Sequence, residues 1–537
     1  MYKKPIIYQL LPRLFGNENS SCIPHGSIQE NGTGKFAHIN TAALTAIKRL
    51  GVTHIWLTGI IEHASTTDYS AYGIAPVDAC LVKGKAGSPY AIRDYYDVCP
   101  DLAQDVPRRM AEFEDLVRRC HDCGLLVLID FVPNHVFRQY ASDAKPLGVD
   151  DFGEDNFYGL PGTRFVSPVA GDYQEAPAKA SGNDCFRPDP SLDDWYETVK
   201  LNYNLDTWHK MRDILSFWVG KGVDGFRCDM AEMAPTDFWA WVIPQIKTQK
   251  KEALFIAEVY RPELYRDFIA CGFDYLYDKV GLYDTLKAVL RGERPADDIS
   301  RCWQQLGDLQ PAMLHFLENH DEQRIASDFF MGDGFKALPA LVVSACLNTS
   351  AFMLYAGQEF GERGMDAEGF SGLDGRTSIF DYWSPDSLRR FYHRGQCNTE
   401  QLSLSERRLY GLYTDLFSLI DSCPALAWGA TYDLVYANRH HGRFDPRKHF
   451  AFLRYAADRE DELLLVAVNF DDRPAEVDIH IPPHALEYFG MAGRDWTSGT
   501  LLFGTADTDG LMRTPFSLGL PAWGAAICLL SFHGYRF

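Results

Sequence analysis

Four predicted strand ends in this sequence carry acids, an arginine and histidines that could do chemistry together. Their motifs are DFVPNH at Asp130–His135, GFRCD at Gly225–Asp229, AE at Ala257–Glu258 and ENHD at Glu318–Asp321. Ionisable groups at the ends of buried strands are costly unless they are partnered. Any single one could be a satisfied core ion pair, but four of them on one face of a barrel favour a catalytic site.

Paired carboxylates with a third acid are the groups that cleavage of a glycosidic bond requires. One acid attacks as nucleophile and one protonates the leaving oxygen. The negative charge of the third acid helps to stabilise the oxocarbenium-like transition state. Arg227 and Asp229 are two residues apart, so a strand would point both side chains the same way. We expect this arginine to lower the pKa of Asp229 and keep it ionised.

The elements that must position these groups are predicted as short apolar strands alternating with amphipathic helices. Continuous apolar runs indicate strands buried on both faces, as in a parallel sheet with helices outside. Eight such runs predict an α/β fold, a closed (β/α)8 TIM barrel whose active site lies at the C-terminal ends of its strands. The predicted strands are Ile6–Leu10, His54–Leu57, Leu125–Phe131, Gly225–Asp229, Leu254–Val259, Tyr275–Tyr277, Leu314–Leu317 and Phe352–Tyr355.

Two long intervals and a change of pattern divide the chain further. One interval separates Trp56 from a helix near Pro107, and the other follows the third predicted strand. Loops this long are usually functional or form a subdomain. From about Gly429, alternating runs predict an antiparallel β-sandwich. We therefore expect a catalytic barrel over 1–135 and 204–428, a loop subdomain inserted after the third barrel strand over 136–203, and a C-terminal β-sandwich over 429–537.

Charge and composition exclude several kinds of partner. The 537 residues include 52 Lys and Arg against 73 Asp and Glu, a net charge of −21. Because an acidic chain repels phosphate backbones and anionic membrane surfaces, we expect neither nucleic acid nor a membrane as partner. The uncharged stretch Ala337–Gly357 contains Pro339 and polar residues, so it predicts a buried helix followed by a buried strand. The sequence leaves the oligomeric state open.

The cysteines and the first residues predict a cytoplasmic location. The 13 cysteines are odd in number and scattered from Cys22 to Cys528, unlike a disulfide framework. In the first segment, MYKKPIIYQLLPRLF, Pro5 and Pro12 interrupt a short apolar run and no small-residue cleavage site follows. That segment is typical of a first strand rather than of a signal peptide.

In their order along the chain, the motifs DFVPNH, GFRCD, AEVY and ENHD resemble those of the α-amylase family, glycoside hydrolase family 13. SPYAIRDYYDV at Ser88–Val98 resembles the GYxxxDY segment of that family. The resemblance spans nearly the whole chain, from IIYQLLPRLF through KRLGVTHIWLTGI to LLLVAVNFDDRP. It implies a retaining hydrolase that cleaves α-1,4-glucosidic links of starch- or maltodextrin-type α-glucans through a covalent glycosyl-enzyme.

The resemblance also implies the catalytic roles. Asp229 corresponds to the nucleophile and Glu258 to the general acid/base. Asp321 corresponds to the third acid, which binds sugar hydroxyls and distorts the ring.

Four further residues are implied as substrate contacts. Arg227 would orient and charge the nucleophile, and His135 and His320 would donate hydrogen bonds to the sugar being cleaved. Tyr90 would offer its ring to the same sugar, although core packing is the alternative. We expect Asp94 to be a structural hydrogen-bonding residue of its loop.

Two departures from the family pattern concern a metal and the leaving group. Many members hold a structural calcium beside an Asp-Leu-Asn segment, where this chain has KLN at 200–202. A lysine ammonium cannot ligate a hard cation and repels one, so we expect no metal or other cofactor, with Lys200 bonded to Asn134 instead. Glu232 and Met233 stand where the family has Lys-His, which leaves the usual leaving-group contacts open.

The motifs leave two other functions possible. A transglycosylase or isomerase on the same scaffold, such as a 4-α-glucanotransferase or a trehalose synthase-like enzyme, shares the first half-reaction. It differs in whether water or a sugar hydroxyl attacks the glycosyl-enzyme. A catalytically inactive carbohydrate-binding or transporter-subunit homologue is disfavoured because all three acids are present.

Overall fold

The closed eight-stranded barrel that the sequence predicts is present. The structure is a computed structural model that describes residues 3–365, 367–458, 462–494, 496–510 and 515–532. Its eight parallel strands, β1 to β8 in chain order, are Ile6–Leu10, His54–Leu57, Leu126–Phe131, Gly225–Cys228, Leu254–Ala257, Tyr275–Tyr277, Met313–Phe316 and Ala351–Tyr355. The barrel closes because β1 pairs with both β2 and β8. The predicted fold class is confirmed, with every strand within two residues of its expected bounds.

The barrel strands are apolar runs because both of their faces are buried. In β1, Ile7 packs inside the barrel, whereas Ile6 and Tyr8 pack outward beneath the helices. Alternation of this kind follows from the two-residue period of a strand. The barrel interior is thus a filled core, and its other members include Trp56, Leu128, Ile256, Tyr277, Leu314, Phe316 and Met353.

Helices cover the outside of the barrel, and side-chain caps fix where several begin. Asn40, Asn204 and Ser403 each accept a hydrogen bond from a backbone amide in the first turn of the helix that follows, which satisfies a donor that the helix leaves free. The main helices are Thr41–Arg49, Arg109–Asp122, Leu205–Gly220, Thr236–Gln249, Tyr265–Ala270, Asp284–Leu290, Asp298–Leu306, Leu338–Cys346 and Leu404–Ser422. Shorter helices are Ile28–Asn31, Asp386–Tyr392, Pro424–Ala427, Val435–Asn438 and Pro483–Tyr488.

Two long excursions leave the C-terminal ends of β2 and β3, where the sequence predicts them. The first excursion (58–108) contains the paired strands Ile61–His63 and Ile92–Val98. The second excursion (132–204) is closed at its base by pairing of His135–Phe137 with Thr198–Lys200. Gly159–Leu160 pairs with Ala178–Lys179 nearer its tip. The base of the second excursion begins within one residue of the proposed domain junction. The exact domain bounds stay a prediction.

The C-terminal region is the predicted antiparallel β-sandwich. A five-stranded sheet packs beside a three-stranded sheet, and four of the strands coincide with the alternating runs that the sequence shows. The other four are less regular in pattern, and two of their pairings carry register shifts. The first sheet contains Ala430–Asp433, His449–Tyr455, Glu462–Asn469, Trp496–Gly504 and Ala525–Phe532, and the second contains Ala475–Ile479, Asp507–Gly510 and Phe516–Leu520.

The uncharged stretch Ala337–Gly357 supplies the helix Leu338–Cys346 and strand β8, as predicted. Over the described part of the chain, every helix is too short or too polar to traverse a lipid bilayer.

Arg454 joins the barrel to the sandwich. It is completely buried on strand His449–Tyr455. Its guanidinium donates hydrogen bonds to the carbonyl oxygens of Leu347, Ala425 and Leu426 at 3.2, 3.0 and 3.2 Å. Burial lowers the pKa of Arg454 to about 10, which leaves it charged at neutral pH.

We expect Arg454→Met to lower the free energy of unfolding by about 3 kcal/mol, because buried carbonyls lose a charged donor. Denaturant unfolding followed by fluorescence measures the change. Arg473→Met is the matched control, since that side chain is 84% exposed and a surface substitution alters stability by about 0.5 kcal/mol or less. Equal midpoints for the two variants would contradict the structural role of Arg454.

Candidate active site

Asp229 and Glu258 stand next to each other at the ends of neighbouring strands. The register of β4 and β5 pairs Cys228 with Ala257, the residues that immediately precede the two acids. Arg227 Nη1 donates a hydrogen bond to Asp229 Oδ1 at 2.7 Å. Arg227 Nη2 also lies 2.7 Å from Glu258 Oε2. The two form an ion pair, but the N–H group does not point at the oxygen closely enough for a hydrogen bond. One guanidinium therefore holds both acids.

Arg227 itself is fully buried in an aromatic and acidic cage. Its guanidinium carbon lies 5.4 to 5.5 Å from the ring centroids of Trp56, Tyr90 and Tyr277, within the range of cation–π attraction. Asp130 approaches from β3, with its Oδ1 3.4 Å from Arg227 Nη1. This buried cation is the common partner of acids from three strands.

Burial dominates the acidity of Asp229. It raises the pKa of Asp229 well above the ordinary value; the charge of Glu258 adds to the rise and that of Arg227 opposes it. The expectation that Arg227 gives this acid a lowered pKa was therefore wrong in net direction, because desolvation outweighs the ion pair.

Glu258 is oriented by a tyrosine and a backbone amide that the sequence did not identify. The Tyr260 hydroxyl donates to Glu258 Oε1 at 2.5 Å, and the Met230 amide donates to Oε2 at 2.7 Å. Met230 adopts left-handed backbone angles (φ 40°, ψ 46°), a strained conformation typical of functional sites. Tyr260 lies in the AEVY motif, two residues after Glu258. That spacing is the feature of the sequence from which its contact with Glu258 could have been predicted.

Glu232, one of the departures from the family pattern, lies beside the turn that follows β5. Its Oε2 accepts hydrogen bonds from the amides of Tyr260 and Arg261 at 3.1 and 3.2 Å. The carboxylate thus fixes the turn after β5 that carries Tyr260.

His320 is a neutral residue fixed by hydrogen bonds behind the acids. Its Nδ1 is 2.7 Å from Gln9 Nε2, and its Nε2 is 2.5 Å from the Tyr90 hydroxyl and 3.1 Å from Asp321 Oδ2. Burial, with the charge of Arg227, lowers the pKa of His320 to about 3. Tyr90 also stacks on this histidine, with ring centroids 5.3 Å apart.

His135 is the second neutral histidine. Burial, with the charges of Lys200 and Lys83, lowers its pKa to about 3. Its ring lies 5.1 Å from that of Trp195. Neutral imidazoles can donate hydrogen bonds to sugar hydroxyls without adding charge.

The acids open into one pocket of about 360 Å³, near the lower end of the usual range for ligand sites. Five of the predicted site residues line it: Tyr90, His135, Asp229, Glu258 and Asp321. The other two, Arg227 and His320, are buried behind this lining. Residues that sequence reasoning missed are Lys83, Ser88, Trp195, Glu197, Thr198, Met230, Tyr260, Ile379 and Phe380.

The place where family members hold calcium does not fit a cation in this chain. Lys200 Nζ donates to Asn134 Oδ1 at 2.8 Å, as predicted, and pairs with Asp184 Oδ1 at 2.5 Å. The lysine side chain is only 11% exposed, so it does not point to solvent. Its ammonium already supplies positive charge beside the oxygens that a metal would use.

One other carboxylate group of the described residues could reach a shared ion. Oxygens of Glu62, Asp94 and Asp143 lie within 4.8 Å of one another. The Arg93 guanidinium already pairs with Glu62 and lies 3.6 Å from Asp143. Asp94 Oδ1 accepts hydrogen bonds from the Tyr96 amide and the Ser142 hydroxyl, and Oδ2 accepts from the amides of Asp143 and Ala144 in the second excursion. Asp94 is therefore the structural residue that the sequence predicts, and the group does not fit a metal.

Strand-end acids and neutral histidines at the C-terminal face of a closed barrel define a barrel enzyme with the groups of a glycosidase. Residues 9–263 match the family model "Alpha amylase, catalytic domain". This part of the chain is an α-amylase-family catalytic domain.

The relatives of this chain include both hydrolases and transferases. It is 27% identical to the α-amylase MalA of Haloarcula japonica, over 67% of this chain and 44% of that protein. It is 25% identical to an α-1,4-glucan:maltose-1-phosphate maltosyltransferase of Cereibacter sphaeroides, over 50% of this chain and 43% of that protein. The matches thus span less than half of either relative. In fold, it resembles the α-amylase of Geobacillus thermoleovorans complexed with acarbose, with a TM-score of 0.64, 18% identity and 99% coverage of both chains.

Asp130 makes the stability of this region depend on pH. Burial raises its pKa from 3.8 to about 6, against the opposing effect of Arg227. Because the unfolded carboxyl ionises first as pH rises, stability falls from pH 3.8 to 6, by about 3 kcal/mol from this group. We expect Asp130→Asn to remove that part of the slope in unfolding free energies measured across this range.

Asp472→Asn serves as the matched control for this measurement, because the Asp472 side chain is 73% exposed. Its slope should equal that of the unaltered protein. A slope unchanged by Asp130→Asn would contradict the burial effect.

Proposed function

We propose that this protein is a retaining α-glucan hydrolase that cleaves α-1,4-glucosidic links of starch- or maltodextrin-type substrates. The observation that carries the proposal is the contact of Asp229 and Glu258 with one guanidinium at adjacent strand ends. Neighbouring parallel strands lie about 4.8 Å apart. Retaining enzymes need carboxyl groups about 5 to 5.5 Å apart, whereas inverting enzymes need about 6.5 to 9.5 Å. Adjacent strand ends therefore favour retention.

In the proposed reaction, Asp229 attacks the anomeric carbon of the sugar while Glu258 gives its proton to the leaving oxygen. A water oxygen then bonds to the anomeric carbon while Glu258 takes a proton from that water, and the bond between the sugar and Asp229 breaks. The hydroxyl of Tyr260 holds Glu258 in place for both steps. Asp321, whose side chain is 47% exposed to the pocket, would accept hydrogen bonds from sugar hydroxyls.

Transglycosylation is the second candidate. One relative of this chain is named a maltosyltransferase. The two functions differ only in whether water or a sugar hydroxyl attacks the glycosyl-enzyme.

We expect Asp229→Asn and Glu258→Gln each to lower kcat on maltoheptaose by about 10²- to 10⁴-fold or more, because each removes a group that acts in the transition state. Product analysis by chromatography and NMR should show shorter oligosaccharides that first appear as the α-anomer. Asp308→Asn, an exposed carboxylate, is the control and should keep full activity.

Each departure from this result has a distinct meaning. The β-anomer as first product would contradict retention. Oligosaccharides longer than maltoheptaose as the main products would favour the transglycosylase. Full activity in either acid variant would contradict the assigned roles.

We also propose that Lys200 takes the structural place of calcium, so that the barrel and the second excursion are joined without a metal. Lys200→Met should lower the melting temperature, because Asn134 and Asp184 lose a charged partner worth about 2 kcal/mol. EDTA should leave the melting temperature of the unaltered protein unchanged. Lys251→Met, at an exposed position, is the control; a large loss of stability in EDTA would contradict the proposal.

The cytoplasmic location stays a proposal that rests on the odd, scattered cysteines. Fractionation of the source cells tests it, and recovery outside the cytoplasm would contradict it.

A further inference from the structure

A buried ion pair forms part of the wall of the catalytic pocket. Lys83 comes from the first excursion and Glu197 from the second, and both line the pocket. Lys83 Nζ lies 3.1 Å from Glu197 Oε2, with the two side chains 10% and 5% exposed. Ion pairs this buried are weak evidence for stability, since desolvation offsets their attraction. Their position in the pocket calls for a functional explanation.

The ammonium of Lys83 keeps a donor that the described residues around it do not use. Lys83 is held from behind by the carbonyl oxygen of Asp194 at 3.3 Å and by the ring of Tyr196 at 5.3 Å. Its Nζ also lies 3.1 Å from Glu197 Oε2, an oxygen enclosed by protein. Because an ammonium has three donors, one remains for a ligand hydroxyl in the pocket.

The pair lies on the side of the pocket away from the leaving group. Around the barrel the successive neighbours are β5, β4, β3 and β2. Glu258 follows β5, Asp229 follows β4 and His135 follows β3, while Lys83 belongs to the excursion from β2. Because the general acid stands beside the departing sugar, the opposite side holds the sugar that becomes bonded to Asp229. Lys83 is close enough to His135 for its charge to lower the pKa of that histidine.

We propose that Lys83 and Glu197 together bind hydroxyl groups of the retained sugar, and so select neutral glucosyl chains. This inference rests on the proposed function. Adjacent sugar hydroxyls each donate and accept hydrogen bonds, which matches an ammonium donor beside a carboxylate acceptor. Because the pair as a whole has no net charge, it offers no excess positive charge to a phosphate. A phosphate on the retained sugar therefore gains no binding from the pair.

The test compares Lys83→Met and Glu197→Gln with the unaltered protein on maltotriose. Each variant should raise KM on the order of tenfold or more, as loss of a hydrogen bond to a charged group does, with kcat changed less than KM. That split marks lost binding rather than lost chemistry. Lys247→Met is the matched control, since Lys247 forms a 2.9 Å ion pair with Asp274 outside the pocket.

A panel of maltotrioses, each lacking one hydroxyl, separates binding from a merely structural role. Deoxygenation at the contacted position should raise KM for the unaltered protein but cause little further loss in the variants, because the same interaction is already missing. Maltotriose phosphorylated on its non-reducing sugar should be a poor substrate. Preference for that phosphorylated substrate would overturn the proposal.

The outcomes distinguish this inference from the proposed function. An unaltered protein inactive on every α-glucan would overturn the proposed function and this inference with it. Activity in the unaltered protein with KM unchanged in both variants would overturn the role of the pair alone. A fall in kcat and melting temperature, with identical losses on every deoxy substrate, would show a structural pair and also overturn it.

Discussion

The buried charge of Arg227 is the interaction on which the site depends. It contacts Asp229, Glu258 and Asp130, which follow or end three neighbouring strands. Without a cation, carboxylates this close and this buried would repel one another. The aromatic rings around Arg227 exclude water and strengthen these attractions. The barrel supplies the geometry, because parallel strands bring their C-terminal ends together at one face.

The two excursions turn that face into a pocket. Each is built on a short antiparallel pairing close to a barrel strand, at the face that carries the acids. Buried ion pairs then fix their inner parts, as with Arg138 and Glu175 within the second excursion and Lys83 and Glu197 between the two. The chain is strongly acidic, yet Arg138 and Lys83 are buried basic side chains that lie beside carboxylates.

The departures from the family pattern have local physical explanations. Lys200 supplies positive charge beside Asn134 and Asp184, at the base of the second excursion. Glu232 stands where the family has a lysine, and its carboxylate accepts hydrogen bonds from the backbone amides of Tyr260 and Arg261. Both residues thus hold loops beside the barrel through hydrogen bonds of their own.

The sequence by itself determined the barrel strands and the acids at their ends, because short apolar runs and adjacent charged residues are local features of the chain. It also indicated the contact between Lys200 and Asn134. Only the tertiary structure decided that burial raises the pKa of Asp229 and that Lys83 meets Glu197. These depend on desolvation and on contacts between segments far apart in sequence. Composition and residue spacing do not reveal such contacts, because the conformation of a surface loop depends on the elements that lie beside it in the fold.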